Sequence, residues 1–306
     1  MNAATFLILY AATLSWLAPV FLSNAAPTQH PRLAVAGWLA AVGTAISAWV
    51  GALVILCVGA VHALITSTAL TFCVQTLGLT DAVHLPTSVA TALTIALLAV
   101  TAVVALHTGR RVLHAARATR RSNHSHAETV HILGRPTPHP GLLSIDSERA
   151  AVYCVASGRH SAIIATTAAL QMLDPAGLAA VLTHERAHLR GGHHHILATL
   201  NALAAALPRL PLMRAAAQSV PPLLEMCADD VAARAHGRAP LLTSLVLLST
   251  GQRLPAGALA AAGTAVLERV RRLTQPAPTR SWRTHSYLCA VALTCAAPTV
   301  AALFCR

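Results

Sequence analysis

The stretch from Leu182 to His195, "LTHERAHLRGGHHH", carries five histidines in fourteen residues, and one glutamate stands between two of them. His184-Glu185-Arg186-Ala187-His188 reads H-E-x-x-H. On a helix, a spacing of four puts both imidazoles on one face, where two ring nitrogens can hold one Zn²⁺. Glu185 then lies about 100° round the helix, within reach of a water at the open side of the ion. From there it can take a proton and later pass it to a leaving amine. The competing reading is a histidine-rich helix lying against a membrane, with one solvated glutamate.

A catalytic zinc takes three protein ligands, and this chain has only ten carboxylates in 306 residues. After the motif come Glu225, Asp229, Asp230 and Glu268. Glu225 and Asp229, in "LLEMCADDVAAR", repeat the four-residue spacing and share a helix face. Glu225 can serve as the third ligand, with Asp229 behind it as acceptor for a ligand histidine. The competing reading is an ordinary acidic face, and Asp230, about 100° away, is assigned to it. Cys227 is a weaker competitor for the metal. His193, His194 and His195 are placed outside the ligand set, as a polar flank near lipid or a separate metal patch. Candidates for an oxyanion donor are His131, His139, His160, His236 and Tyr153, with nothing in the sequence to choose among them. One zinc per chain is the only cofactor expected.

These side chains need elements to hold them. Asp174-Pro175 supplies an N-cap followed by proline at the first helical position, so a helix runs from Pro175 to Arg190 and stops at Gly191-Gly192. A further helix covers His194 to Leu207. Ser219 and the Pro221-Pro222 pair open another that ends at Gly237, and a last apolar helix covers Leu241 to Ser249. Before them "SNHSHAE" and "GRPTPHPG" read as loops. The pieces "LLSI", "AVYCVA" and "SAIIATT" read as a small sheet with a turn at Ser157-Gly158-Arg159. "SAIIATT" is expected either as an edge that pairs with an extended substrate or as a buried core strand.

The composition places these elements at a membrane. Hydrophobic residues make up 55% and charged residues 10%, against about 25% charged in a typical soluble domain. Apolar runs at Thr5–Leu22, Leu33–Cys57, Thr87–Leu106 and Tyr287–Phe304 predict four spans, with an extra or re-entrant helix in Gly59–Leu79 left open. All 22 basic residues are arginine; Arg110, Arg111, Arg117, Arg120 and Arg121 follow the third span and Arg269, Arg271, Arg272, Arg280 and Arg283 precede the fourth, which places both flanks in the cytoplasm and the N-terminus outside. The net charge of +12 is thus read as topology and anionic-lipid contact, with no direct nucleic-acid binding. Seven scattered cysteines without a C-x-x-C pair give neither a disulfide framework nor a cysteine zinc site. The domain division expected is a membrane domain over 1–108, a cytoplasmic α+β zincin-like domain over 109–284 and a fourth transmembrane helix over 285–306. The fold class is a mainly α, polytopic membrane protein of the cell membrane.

"LTHERAHLRGGHH" followed by "LLEMCADDVAAR" resembles the membrane zinc peptidases with H-E-x-x-H and E-x-x-x-D motifs, the gluzincins. Three spans, a zinc domain and a fourth span resemble the BlaR/MecR type in particular. The resemblance implies His184, His188 and Glu225 as ligands and Glu185 as catalytic base. It also implies a cytosolic protein substrate, typically a transcriptional repressor of the BlaI/MecI kind. The penicillin-binding sensor domain that β-lactam-sensing members carry after the fourth span has no counterpart in these 306 residues. Two alternatives remain: an HtpX-type quality-control protease, and a non-enzymatic membrane scaffold with a structural metal site.

Overall fold

The computed structural model describes residues 3–25, 30–65, 87–156, 161–250, 256–275 and 282–304. The Ser157–Arg159 turn, His160 and most of the undecided Gly59–Leu79 stretch (residues 66–79) lie outside the described residues. Helices α1 (Ala3–Ala25) and α2 (Pro31–Ile65) are long and apolar enough to cross a bilayer, with mean hydropathy 1.8 over Ala3–Asn24 and 2.2 over Pro31–His62. The expected third span falls in the first part of α3 (Thr87–Leu133) and the expected fourth within α10 (Trp282–Phe304), but among the described residues only α1 and α2 are long and apolar enough to count as spans.

Helix α3 does not stop where the apolar run ends. It continues through "SNHSHAE", which the sequence reads as a loop. Its last turns bury Ala127 and Val130 against Val155 and Ile164 of the sheet, and that packing outweighs the low helix propensity of the serines, asparagine and histidines. The sheet follows: β1 (Arg135–Pro136), β2 (Leu142–Ile145), β3 (Val152–Val155) and β4 (Ala162–Thr166), in the order β1-β2-β4-β3. β4 runs parallel to β2 and antiparallel to β3. It is buried along its whole length. Alternate residues of β4 face opposite layers, Ile164 towards α3 and Ile163 and Ala165 towards Leu182 of the next long helix. Of the two readings of "SAIIATT", the buried core strand is the one observed, and β3 forms the edge beside it.

Helix α4 (Thr167–Met172) is a single capped turn pair, and α5 (Pro175–Arg190) begins and ends as the sequence predicts. The Asp174 side chain accepts a 2.7 Å hydrogen bond from Gly177 N. Helix α6 (His193–Ala206) follows at once. Helix α7 runs from Pro211 to His236, so Pro221 and Pro222 lie inside it rather than at its start. Each proline removes one backbone donor and crowds the preceding turn. Burial of Leu212, Met213, Ala216 and Val220, all at most 1% exposed, holds the preceding turns helical nonetheless. Helix α8 (Arg238–Thr250) is followed by α9 (Ala256–Thr274), a helix that apolar periodicity did not announce.

The largest core joins the two halves of the chain. Leu22, Val35, Trp38 and Val42 of α1 and α2 and Tyr287 of α10 pack with Leu212, Met213, Val220, Leu223 and Cys227 of α7. The helix carrying Glu225 and Asp229 is therefore seated directly on the apolar helices.

Candidate metal centre

Helices α5 and α7 pack face to face, which brings the two acid- and histidine-bearing motifs together. His184 Nε2 and His188 Nε2 lie 3.1 Å apart. Glu225 reaches both, with Oε2 3.4 Å from His184 Nε2 and Oε1 3.4 Å from His188 Nε2. A tetrahedral ion with metal–ligand bonds of about 2.0–2.1 Å separates neighbouring donor atoms by about 3.3 Å. The two histidine nitrogens have nearly that spacing, each is met by its own Glu225 oxygen at a similar distance, and the three residues form a group that could hold a metal, with one donor atom from each lying within 4.8 Å of the others. The histidines are 8% and 15% exposed and Glu225 is 40% exposed, so access is from the Glu225 side.

Behind the trio, Asp229 Oδ1 lies 3.1 Å from His184 Nδ1, although off the line of a well-directed hydrogen bond. Asp229 is in turn gripped by Arg269 of α9, with Nη2 2.7 Å from Oδ1 and Nε 2.8 Å from Oδ2. Arg269 Nη1 also sits 3.3 Å from Glu225 Oε2. Burial alone would raise both acids. For Asp229 the Arg269 hydrogen bonds and then the nearby His184 ring win, holding its carboxyl at about 2. For Glu225 the His184 contact and the Arg269 charge do the same, again to about 2.

The two histidines differ. Burial opposes a charge on His184, but Asp229 and then Glu225 outweigh it and lift the ring to about 9. Burial dominates at His188 and, against the pull of Glu225, lowers it to about 4. His188 is therefore a neutral donor at neutral pH, whereas His184 must give up a proton to bind a metal.

Glu185 faces β3. Burial raises its carboxyl, and the Cys154 thiol hydrogen-bonds to it. Burial and then the Glu185 charge push the thiol up to about 12, so Cys154 remains protonated and acts as a donor rather than a nucleophile or ligand. A carboxylate with raised proton affinity beside a metal site has the character a general base needs.

The remaining sequence candidates separate cleanly. Cys227 points into the apolar core, where burial raises its thiol to about 11. Asp230, read from the sequence as solvated, pairs with both ends of its carboxylate to Arg272 Nη2 at 2.7 and 2.9 Å. Tyr153 packs on the α3 side of the sheet, away from α5. His236 Nε2 lies 2.8 Å from Thr183 Oγ1, next to the motif, while His131 and His139 are exposed. Sequence reasoning missed three neighbours of the site: Arg269, Cys154 and His193. Arg269 was read only as a topology signal. The signal for His193 was the Gly-Gly turn, which ends α5 and reverses the chain.

Residues 117–227 match the family model described as Peptidase family M48. That span takes in the end of α3, the sheet, His184, Glu185, His188 and Glu225, and stops two residues before Asp229. No curated protein and no solved structure matches the chain. The match likens this part of the chain to a peptidase family, and it overlies the geometry that fits a metal.

Proposed function

We propose that this chain is a multi-pass membrane zinc endopeptidase that cleaves a cytosolic protein. The observation that carries the reading is the His184–His188–Glu225 trio, with the two ring nitrogens 3.1 Å apart, each 3.4 Å from one Glu225 oxygen, and Glu185 on the adjoining face. His184, His188 and Glu225 would hold one Zn²⁺, which when bound polarises the scissile carbonyl and lowers the pKa of water in the site. Glu185 takes a proton from the attacking water as its oxygen bonds to the carbonyl carbon. As the C–N bond breaks, the same carboxyl returns that proton to the leaving nitrogen. Cys154 orients Glu185, and Asp229 orients His184. β3, the sheet edge that carries Cys154, offers backbone groups to an extended peptide.

The reading extends to four spans, an outside N-terminus and a cytoplasmic site, on the strength of the arginine flanks and the two apolar helices. The substrate class that fits a membrane-tethered cytoplasmic site is a soluble regulator, such as a BlaI/MecI-like repressor. Quality control of membrane proteins by the same site is the second reading.

The test uses full-length protein in detergent, comparing wild type with Glu185→Gln for zinc content and for cleavage of casein and of any repressor encoded nearby. One zinc per chain in both, with cleavage only by wild type, is the expected outcome. Equal zinc with no Glu185-dependent cleavage of any substrate would instead support a scaffold with a structural metal.

A further inference from the structure

We infer that His193 is a positioning residue for His188, fixing the tautomer and ring plane in which His188 presents Nε2 to the metal centre. This rests on the zinc-site reading above and adds to it a residue that the H-E-x-x-H and E-x-x-x-D motifs do not include.

His193 Nδ1 lies 2.8 Å from His188 Nδ1, with the two rings perpendicular and their centroids 4.7 Å apart. His193 is only 8% exposed. At that distance one proton lies between the two nitrogens. If His193 were the donor, neutral His188 would carry its own proton on Nε2, the atom that must ligate. If His188 donates from Nδ1, its Nε2 lone pair is free to face the ion. Only the second arrangement is compatible with a metal, and it requires His193 to be neutral, with Nδ1 accepting and the proton on Nε2.

The turn before His193 is shaped to deliver it. Gly192 has φ +60°, a left-handed conformation that glycine adopts without penalty. At Gly191 an added Cβ would stand 2.6 Å from His193 Nε2 and 2.7 Å from Cδ2. The two glycines thus end α5 and leave room for the first residue of α6 to swing back onto His188. The His193 ring also borders a cavity of about 380 Å³ lined by Arg32, Arg190, Leu224 and Cys227. It has somewhere else to turn, yet it faces His188. The neighbouring His194 and His195 instead face each other, with ring centroids 3.9 Å apart and planes tilted by 45°. Each candidate ligand histidine therefore has its own Nδ1 partner: Asp229 for His184 and His193 for His188.

The test measures zinc affinity of the full chain in detergent by competition with a chromophoric chelator, alongside thermal unfolding of the zinc-free protein. His193→Phe keeps the ring and removes the acceptor, and should weaken zinc binding by roughly 10- to 100-fold with little change in zinc-free unfolding. His193→Asn sets a carbonyl oxygen where Nδ1 stood and should restore most of the affinity. His194→Asn should bind zinc like wild type. Gly191→Ala, at a backbone conformation alanine accepts, should mimic His193→Phe by displacing the ring, and it carries the test if the Phe variant fails to fold. Unchanged affinity in both His193→Phe and Gly191→Ala, or equal losses in the Phe and Asn variants, would overturn the inference while leaving the zinc site standing. A wild type that binds no zinc would overturn both.

Discussion

Helix α7 has two interfaces built on opposite principles. Towards α1, α2 and α10 it presents Leu212, Met213, Val220, Leu223 and Cys227, packed with hydrophobic residues such as Leu22, Val35, Trp38 and Val42. Towards α5 and α9 it presents Glu225, Asp229 and Asp230, met by His184, His188, Arg269 and Arg272. The apolar interface gains from area removed from water and tolerates small shifts. The polar one gains only when every charge has its partner, because a buried charge left alone is expensive. The difference shows how the fold can fix a reactive site: the apolar side sets where α7 lies, and the polar side sets which atoms point at one another.

The sharpest way to break that contrast is to remove one partner from the polar side. Arg269→Leu leaves Asp229, 1% exposed, with its main counter-charge gone, and breaking such a buried pair costs about 3–5 kcal/mol. Denaturant unfolding of the zinc-free protein should show that loss, and adding Asp229→Asn should recover part of it. A cost below about 1 kcal/mol, the range of an exposed pair, would mean that water already reaches Asp229 and that the polar interface is no more exacting than a surface.

A smaller effect follows from acid. The Asp229 carboxyl is held at about 2, below its ordinary value of 3.8. Its contribution to stability is complete above about pH 4 and is lost as pH falls through about 2, and it is on the order of 2 kcal/mol. His184 runs the other way: raised to about 9 from 6.5, it contributes fully below about pH 6.5 and loses that contribution as pH rises through about 9. The two shifts describe one interaction and are not summed. Zinc-free protein should therefore hold this interaction intact between about pH 4 and 6.5, and unfolding midpoints across pH check it. Zinc should abolish the alkaline loss, since a ligating His184 carries no proton to release. A midpoint that is flat from pH 2 to 9 would remove the electrostatic half of the contrast.

Much of the polar side was legible in the sequence, because it is local. H-E-x-x-H and E-x-x-x-D each put two groups on one helix face, and Asp174-Pro175 and Gly191-Gly192 bound the first of those helices correctly. The structure brings His184, His188 and Glu225 together and sets Asp229 behind His184, as the spacing suggests. What was not legible depends on contacts between segments far apart in the chain. Arg269 reaches back 40 residues to Asp229, Cys154 meets Glu185 across two elements, and α7 extends past two prolines because its first turns are buried under α1 and α2. Periodicity describes one element at a time, so it also missed α9 and ended α3 too early.

The finest test falls on the apolar side, at one point where α10 touches α2. The Tyr287 hydroxyl is buried there without a hydrogen-bond partner among the described residues, and an added Cβ at Gly37 would lie 1.8 Å from it. A buried unsatisfied hydroxyl is a standing cost, so Tyr287→Phe should be neutral or stabilising by up to about 1 kcal/mol. Gly37→Ala in a helix interior normally stabilises by about 0.5–1 kcal/mol. Here the sign should reverse, because the methyl group collides with the tyrosine ring's end. In the Tyr287→Phe background the clash with the hydroxyl is gone and the ring carbons at 2.7 and 3.2 Å remain, so the penalty of Gly37→Ala should shrink, a coupling that a double-mutant cycle reads directly. Additive effects of the two substitutions would mean that α2 and α10 do not meet at Gly37. The apolar interface would then fix the position of α7 through α1 and the rest of α2 alone.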